Sequence, residues 1–547
     1  MNNKYIFSIF ESALKQVAGT QDYQLTFEKP NNPEHGDLST NIAMKLAKTL
    51  HKSPQAIADE IINALEYDIK IIEFVEKAGA GFINIKYNNY FYQQQLAEII
   101  KAGENFGSSN EGNNIKVNVE YVSVNPTGLL HLGHGRNAVI GDTIANLFEW
   151  LGYVVTREYY FNNAGNQMNN LAKSIFARYK QITGSLDYPF PDDGYHGEYI
   201  KEIANELLAE VNNNYINGTD DDLVAIRKYG EIWCFNKIKA TLERLQIHQD
   251  VYYNEDSLYH EGKIDKLIND LKSKELAYEK DGALWFALTK LGLNDDRVIV
   301  KSTGEPTYRL PDIAYHREKF ERGFDFLVDI FGADHIATVP DVLAGVRALG
   351  FDSDKIKVLI HQFVTLTENG EQVKMSKRTG KSYTLDDLID EVGNDVVRFF
   401  LLMRGISTHL EFDLSLARQQ SEKNPVYYLQ YAHARICSIF DNAKEKSIEL
   451  TNEVNYSLLN HKSELSLIKC LLDFPSMIQI ACSKYEPQIL ADYLRELASA
   501  FHVFYHDCRI IIDDIDLMQA RFKLAEMTKY AMRNGLTILG ITIPERM

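Results

Sequence analysis

The sequence contains few cysteines, and none of them is paired in the spacing that binds metals. Its five cysteines are scattered along 547 residues, and no Cys-x-x-Cys motif occurs. This pattern argues against a disulfide framework and against a cysteine zinc site, and it is typical of proteins in the reducing cytosol. We therefore predict a cytoplasmic protein without a dedicated metal site.

Long apolar runs and an excess of positive charge are also missing. No stretch of eighteen consecutive apolar residues occurs, so the sequence predicts no membrane-spanning segment. The first residues, MNNKYIFSIFESALKQ, have the polar breaks of an amphipathic helix and lack the cleavage site of a signal peptide. The formal net charge is −18, so any RNA binding must depend on a local basic surface.

The length predicts several domains, because a single core stops growing well below 547 residues. Residues 1–112 alternate helical and strand-like patterns: Ser53-Pro54 opens a predicted helix, and GFINIKY (81–87) alternates like a strand. The polar segment 107–114 is the predicted linker. These features predict an N-terminal α/β module.

The middle of the chain begins with a strand, a glycine-rich loop and a helix. Residues 115–124 are rich in β-branched residues, and RNAVIGDTIANLFEWLG has helical periodicity. This order is the entry unit of a doubly wound, Rossmann-like parallel sheet. We predict that residues 113–403 form this α/β domain, with a helical insertion at about 165–275 and strands returning at 283–288, 298–302, 324–331 and 356–364. The helical pattern of 404–547 predicts an all-α bundle.

The glycine-rich loop, NPTGLLHLGHGR (125–136), carries two histidines three residues apart. A metal site needs a third ligand, and none lies nearby in the sequence. An ordinary turn with two incidental histidines is a second interpretation. A phosphate cradle explains more residues: a glycine leaves room for adenine, the helix start offers free N–H groups, and protonated or donating imidazoles stabilise charge on a pentavalent phosphate. The motif comprises Asn125, Pro126, Thr127, Gly128, Leu129, Leu130, His131, Leu132, Gly133, His134 and Gly135.

A second motif lies in TENGEQVKMSKRTGKS (367–382). Asn369-Gly370 predicts a tight hairpin turn. The tetrapeptide that follows is Lys374-Met375-Ser376-Lys377. A solvated basic loop is one interpretation; the other is a lysine pair that neutralises a leaving pyrophosphate in the transition state.

The pair H-x-G-H and K-M-S-K is the signature of class I aminoacyl-tRNA synthetases, and the chain is identified as similar to the arginyl-tRNA synthetase family. The stretches that carry this resemblance follow the family's order over nearly the whole chain. They are NPEHGDLSTNIAMKLAK, VEYVSVNPTGLLHLGHGRNAVIGD, REYYFNNAGNQM, GEPTYRLPDIAYH, FGADH, NPVYYLQYAHARI and NGLTILGITIPERM. The resemblance implies activation of L-arginine with ATP, which enters with Mg²⁺, and transfer of arginine to the 3′-terminal adenosine of tRNA(Arg).

The resemblance also implies a role for each motif residue. It gives catalytic roles to His131, His134, Lys374 and Lys377. It implies ATP contacts at Gly128, His131, Gly133, His134, Gly332, Asp334, Lys374, Met375, Ser376 and Lys377, with His335 a weaker choice. It implies arginine contacts at Glu120, Ser123, Asn125, His134, Tyr308 and Asp312.

Plainer readings exist for the two residues assigned to the guanidinium. Pro311 predicts a helix start, which places Asp312 in the first turn and Tyr308 just ahead of it. A first-turn acid also favours the helix dipole, and a tyrosine also packs in cores. Three residues depart from the commonest family pattern without removing a charge: Val124, Leu129 and Gly135.

The C-terminal segment is nearly neutral within an acidic chain, and its residues 517–547 are net basic. Tyr427, Tyr428 and Tyr431 follow helical spacing, with Arg435 one turn beyond; such a stripe is either core or a platform for bases. The resemblance assigns this bundle to the anticodon and the N-terminal module to the tRNA elbow. We expect a monomer that has no contact with a membrane.

Three alternatives remain open from the sequence. The first is a class I synthetase for another amino acid, such as cysteine or glutamine. The second is a small nucleotidyltransferase, for which K-M-S-K and the helical bundle would be surplus. The third is a synthetase-like RNA-binding protein that has lost catalysis.

Overall fold

The N-terminal module is a small antiparallel sheet packed against helices. The structure is a computed structural model that describes residues 4–19, 23–30, 32–373 and 383–547, except for the side chains at positions 4, 33 and 334. The predicted helix after Ser53 and the strand in GFINIKY are confirmed, and the Ser53 side chain accepts a hydrogen bond from the Ala56 N–H. The sheet order is β1-β3-β2. The elements are α1 Lys4–Ala18, β1 Leu38–Thr40, α2 Ile42–Leu50, α3 Pro54–Ala64, β2 Ile72–Ala78, β3 Phe82–Tyr87 and α4 Asn89–Ala102.

The middle of the chain contains the predicted parallel sheet. Its elements are β4 Lys116–Glu120, α5 Leu132–Trp150, β5 Val154–Phe161, α6 Gly165–Ile182, α7 Glu198–Val211, α8 Asp220–Arg244, β6 Val251–Asn254, α9 Asp256–His260, α10 Lys263–Ser273, β7 Ala277–Lys280, β8 Ala283–Phe286, β9 Arg297–Val300, α11 Arg309–Glu321, β10 Phe326–Gly332, α12 Val339–Ala348 and β11 Ile356–His361. The strand order is β11-β10-β4-β5-β6, and each pairing is parallel. The order in which strands are added to the sheet reverses between β4 and β10, and ligands of such sheets bind at the carboxyl ends of the strands beside this switch point.

Two details of the predicted sheet are wrong. The helical insertion predicted at about 165–275 contains β6, which is an edge strand of the parallel sheet. The strand signals at 283–288 and 298–302 form a separate antiparallel sheet, in the order β7-β8-β9. Strand propensity alone does not say which sheet a strand joins, and four-residue β6 is too short to show a period.

The segment around the second motif begins with the expected hairpin. Strands β12 Val364–Glu368 and β13 Glu371–Gln372 are antiparallel, and the two turn residues Asn369 and Gly370 have φ values of 52° and 81°. Positive φ at both positions is the turn that Asn-Gly favours. Helices α13 Leu385–Val392 and α14 Asn394–Leu402 follow. Lys374, Met375, Ser376 and Lys377 lie outside the described residues.

The segment 404–547, predicted to be all-α, is a helical bundle except for one short strand near its start, which pairs in parallel with β12. Its elements are β14 Leu410–Asp413, α15 Leu414–Ala417, α16 Pro425–Glu445, α17 Lys462–Lys484, α18 Gln488–Asp507 and α19 Ile515–Ile538. Among the described residues, one helix, α17, is long enough and apolar enough to cross a membrane, judged by length and composition alone. In this fold α17 packs against α4, α5, α18 and α19.

Candidate active site

The two motif histidines cap the helix that they begin. His131 is the N-cap of α5, and its Nδ1 accepts hydrogen bonds from the N–H groups of Gly133 (3.1 Å) and His134 (3.4 Å). In return, His134 Nδ1 accepts from the His131 N–H at 3.3 Å. The rings stack with their centroids 3.5 Å apart. The pair is therefore a reciprocal capping box built from imidazoles.

This geometry fixes the tautomer of both histidines. A backbone N–H can only donate, so each Nδ1 must be an acceptor and each Nε2 carries the proton of the neutral ring. Burial lowers the pKa of His131, and burial together with His131 and His361 lowers the pKa of His134 to about 3. Of the two forms considered for these imidazoles, protonated or neutral and donating, the structure favours the neutral donor.

The glycines of the motif have identifiable neighbours. A Cβ on Gly133 would lie 3.0 Å from His131 Cε1, so this glycine makes room for the imidazole that caps the helix. A Cβ on Gly128 would lie 3.1 Å from the Tyr199 hydroxyl oxygen. A Cβ on Gly135 would lie 2.8 Å from Leu385 Cδ1, so helix α13 lies close against the start of α5.

The loop after β4 has an unusual backbone at the switch point. Val122 and Ser123 have φ values of 70° and 45°, which is rare for a β-branched residue such as valine. The Asn137 side chain holds this loop: its Oδ1 accepts from the Val122 N–H at 2.6 Å, and its Nδ2 donates to the Ile330 carbonyl at 2.8 Å. Asn137 thus connects β4 with β10, and the predicted strand 115–124 ends early at Glu120.

A buried network of charges fixes helix α11 beneath the carboxyl ends of the strands. Lys319 Nζ donates to Glu120 Oε2 and to Asp329 Oδ1, both at 2.6 Å. His316 donates to the Asp312 carbonyl at 2.7 Å and contacts Asp329 Oδ2 at 2.9 Å. Although burial lowers the pKa of His316, the Asp329 carboxylate raises it above its usual value. With acceptors on both nitrogens, His316 is an imidazolium, and the helix cannot rotate without losing these partners.

Two carboxyl groups beside this network are not paired with a lysine or arginine among the described residues, although the His316 imidazolium lies close enough to Asp312 to favour its charged form. Burial, with Glu120 and Glu255 nearby, raises the pKa of Asp312 to about 7. Burial also raises the pKa of Glu255, which accepts from the Tyr160 hydroxyl and the Asn162 side-chain amide, each at 2.7 Å. Within the described part of the chain, no lysine or arginine forms an ion pair with Asp312 or Glu255. Buried carboxylates without a cation are costly, so this arrangement fits a cationic ligand.

The remaining predicted residues lie around the same strand ends. Ser123 Oγ donates to Glu120 Oε1 at 3.0 Å and accepts from the Tyr160 N–H at 3.1 Å. Asn125 accepts from the Asn162 N–H and donates to Gln167 Oε1. Tyr308 is the N-cap of α11 with 70% of its surface exposed, and Asp312 lies in the first turn, both as predicted.

Glu120 is only 3% exposed, which leaves it little surface for direct contact with a ligand. Gly332 ends β10, and the backbone of Asp334 lies in the 3-10 turn Ala333–His335. The Asp334 side chain lies outside the description, and the His335 ring stacks on Phe331 with centroids 5.2 Å apart.

Sequence reasoning missed Glu255 and Lys319. Glu255 directly follows β6, which lies inside the range predicted as a helical insertion, so the sequence does not reveal that this residue stands at a strand end. Lys319 lies two turns beyond Asp312 in α11. It is completely buried, and no sequence pattern indicates that a lysine at this position is buried. In the part of the chain that the structure describes, no group of three metal-ligating side chains was found.

Comparisons with known proteins agree along the whole chain. Residues 4–87 match the arginyl tRNA synthetase N terminal domain, 95–399 the catalytic domain of class I tRNA synthetases (R), and 429–547 the DALR anticodon binding domain. The arginine–tRNA ligase of Salinibacter ruber is 48% identical, with 96% of each chain covered. That of Desulfotalea psychrophila is 50% identical, covering 95% of this chain and 94% of its own. The chain belongs to the arginyl-tRNA synthetase family.

Solved structures add that arginyl-tRNA synthetases share this fold at low sequence identity. Thermus thermophilus arginyl-tRNA synthetase superposes with a TM-score of 0.78 at 21% identity and full coverage of both chains. Methionyl-tRNA synthetase of Mycobacterium tuberculosis reaches 0.56 at 13% identity, with 79% of this chain and 92% of that chain covered. The predicted doubly wound fold and the predicted activity, an ATP-dependent arginine–tRNA ligase, are confirmed.

Proposed function

We propose that arginine binds with its guanidinium between the carboxylates of Asp312 and Glu255. A guanidinium is planar, always charged and donates hydrogen bonds in pairs, so it suits two carboxylates that lack a lysine or arginine partner. Tyr308 caps helix α11 one turn before Asp312, and its exposed ring provides a flat partner for the guanidinium at the entrance of the pocket. The observation that carries this assignment is a pair of carboxylates, one buried (Glu255) and one half-buried (Asp312), that form no ion pair with a lysine or arginine among the described residues.

The backbone end of arginine then belongs near the switch point. Ser123 and Asn125 line the strained loop after β4, and we assign them to the ammonium and carboxylate groups of the substrate. Glu120 contributes through its negative charge rather than by direct contact, because both of its oxygens already accept hydrogen bonds. The buried network around Lys319 acts indirectly, because it sets the position of α11 and so of Asp312.

The ATP phosphates belong at the start of α5. The Nε2–H groups of His131 and His134 are proposed donors to the α-phosphate as its charge increases, and neutral donors suffice for this role. Family similarity supports Gly128, Gly133, Gly332 and Asp334 as the lining of the nucleotide site. It also supports Lys374, Met375, Ser376 and Lys377 as the contacts to pyrophosphate. We propose that ATP enters as its magnesium complex, without a protein-held metal.

The chemistry proceeds in two transfers. An arginine carboxylate oxygen forms a bond to the α-phosphorus in line with the bond to the β-phosphate, which breaks and releases pyrophosphate. The 2′-hydroxyl of the terminal adenosine of tRNA(Arg) then attacks the carbonyl carbon, loses its proton, and AMP leaves. Positioning and stabilisation of charge account for both steps, since the geometry holds donors in place before charge develops.

We further propose that a groove in the bundle binds the anticodon. The groove has a volume of about 1110 Å³ and lies between α16, α18 and residues 540–547. The Arg435 guanidinium lies over the rings of Tyr431 and Tyr505, 4.7 and 5.1 Å from their centroids, and Tyr427 stacks parallel to Tyr431. These tyrosines on α16 are half-buried, as in a stacking platform for unpaired bases. Further side chains on its walls are Arg509, Arg546 and Met547.

The N-terminal module is the proposed partner of the tRNA elbow. Lys469 in α17 forms an ion pair with Asp37 at 2.7 Å, and Gln93 in α4 donates to the Leu459 carbonyl at 3.0 Å. These contacts hold the module and the bundle in one orientation for a single RNA. We propose three functional domains, at 1–112, 113–403 and 404–547, in a cytoplasmic monomer.

A charging assay tests this proposal. Purified protein is mixed with total tRNA, MgATP and one labelled amino acid at a time, and acid-precipitable label is measured. Arginine alone should be charged. Asp312→Asn and Glu255→Gln should each raise the KM for arginine far more than the KM for ATP. Asp265→Asn is the matched control, because Asp265 is likewise in the first turn of a helix but exposed. Equal effects of Asp312→Asn on both KM values would contradict the pocket assignment.

A further inference from the structure

The segment that follows α19 runs from its contacts with α14 to the proposed anticodon groove. We call residues 540–547 the tail segment. It begins with Gly540 at φ 68°, whose N–H donates to the Thr537 carbonyl while the Ile541 N–H donates to the Leu536 carbonyl. This pattern is a Schellman motif, which ends the helix in one defined direction. At its other end, Arg546 and Met547 line the groove.

The beginning of the tail segment is fixed to the catalytic domain by a buried arginine. Arg398 in α14 is fully buried; its Nε donates to the Leu539 carbonyl at 3.0 Å and its Nη2 to Asp142 Oδ2 at 2.5 Å. A Cβ on Gly540 would lie 2.1 Å from Arg398 Nη2, so only glycine allows this approach. Asp142 lies in α5, the helix that His131 caps. One guanidinium therefore connects the end of α19 with the motif helix.

The middle of the tail segment is attached to both α14 and α16. The N–H of Thr542 donates to Asp395 Oδ1 at 3.1 Å, and its hydroxyl donates to Asp395 Oδ2. Gln430 in α16 donates to the Thr542 carbonyl at 3.0 Å, and His433 donates to the Pro544 carbonyl at 2.9 Å. Since Asp395 and Arg398 lie one turn apart on α14, a shift of the tail segment acts on the helix that holds Asp142.

We propose that Asp395 and Arg398 are positioning residues that couple occupancy of the anticodon groove to the geometry of the motif histidines. The inference rests on the groove proposed above. A base that enters the groove contacts the tail segment at Arg546 and Met547, and the tail segment's polar contacts leave it little freedom to absorb the displacement locally. Packed interfaces shift between discrete arrangements rather than deforming smoothly, and small misplacements of catalytic groups are costly in rate.

The test compares binding with turnover in the full-length protein. The variants are Asp395→Asn and Thr542→Val, the latter nearly isosteric and lacking only the hydroxyl. The control is Asp514→Asn, which replaces the carboxylate that caps α19 far from the tail segment. Each is assayed with an arginine tRNA transcript and with the same transcript changed in its anticodon. Measured quantities are the Kd for each transcript, and the kcat and KM of aminoacylation.

Coupling predicts a loss in kcat rather than in binding. Asp395→Asn and Thr542→Val should lower kcat for the normal transcript about three- to ten-fold, the range seen for changes within coupled networks, with Kd within about two-fold. In the same two variants, the ratio of kcat/KM for the normal transcript to kcat/KM for the changed transcript should shrink by a similar factor. Asp514→Asn should change neither kcat nor this ratio. A weaker Kd with unchanged kcat, or an unchanged ratio, would overturn the inference. Failure of the groove itself is recognised separately, because Tyr431→Ala would then leave the Kd of the normal transcript unchanged.

Discussion

Arginine binding should strengthen as the pH rises from 6 to 8, because Asp312 must be ionised to pair with a guanidinium. Burial raises the pKa of Asp312 to about 7 in the free enzyme. With that value, roughly one tenth of the molecules carry the carboxylate at pH 6 and roughly nine tenths at pH 8. The Kd for arginine should therefore fall about ten-fold over this interval, since the guanidinium itself does not titrate there.

Calorimetric titration with arginine at pH 6, 7 and 8, in two buffers of different ionisation enthalpy, measures both the Kd and the protons released. At pH 6 nearly one proton should be released per arginine bound, and at pH 8 few. Asp312→Asn should bind arginine at least about 30-fold more weakly at pH 8, because a buried charge loses its partner, and should lose the pH slope. A wild-type Kd that is flat between pH 6 and 8, or a slope that survives in Asp312→Asn, would refute the assignment.

Ionisation of Asp312 should strengthen arginine binding but lower the stability of the free enzyme as the pH rises. The pKa of Asp312 in the folded enzyme is raised above the ordinary value of 3.8, so the stability linked to its protonated form is complete below about pH 4 and is lost as the pH approaches 7. Asp312→Asn should therefore raise the Tm of the free enzyme at pH 8 and leave it nearly unchanged at pH 4. Saturating arginine should reverse the order of the two proteins at pH 8, which differential scanning calorimetry would detect.

Three further predictions concern packing and protonation. Gly135→Ala should destabilise the fold by no more than about 2 kcal/mol in urea titrations, because the new Cβ would lie 2.8 Å from Leu385 Cδ1 while alanine favours helix α5 by about 1 kcal/mol; Leu385→Val should restore part of any loss. In ¹⁵N NMR at pH 7, His134 should show a neutral ring protonated at Nε2, and the shifts of an imidazolium would contradict the capping geometry. Lys319→Met should lower the free energy of unfolding by about 3–5 kcal/mol, because two buried carboxylates lose their shared cation. Lys301→Met, which removes an exposed ion pair, should lower it by about 0–1 kcal/mol. Equal losses in the two variants would argue against a buried network.

Most of the architecture could be predicted, because it depends on local patterns that the sequence displays directly. The Asn-Gly hairpin and the glycine-rich loop before α5 have residues that favour one backbone conformation, whereas α11, predicted to start at Pro311, begins two residues earlier at Arg309. The strand β4 was predicted too long because Val122 and Ser123 look extended by composition. A long-range contact, the Asn137 side chain, holds them at positive φ instead.

The candidate site was less predictable, because its charges are paired across distant segments. The sequence predicts that Glu120 contacts the substrate, and it gives no sign that Lys319, 199 residues away, donates to one of its oxygens. Glu255 carries no motif, and only the folded sheet brings its carboxyl group near Asp312. Local patterns locate the ends of elements, whereas the partner of a buried charge is set by tertiary packing.

The order of strands in the parallel sheet has a consequence for synthesis of the chain. Strand β4 pairs with β10, which begins at Phe326 and leaves the ribosome about 200 residues later. At 5–20 residues per second, this edge of β4 stays unpaired for roughly 10–40 s. An open edge attracts other nascent chains, and polar side chains on a strand oppose such pairing. In the folded protein, Asn118 and Glu120 are buried partners of Glu158 and Lys319. Before β10 is synthesised, the same two polar side chains keep the unpaired strand β4 from being uniformly apolar.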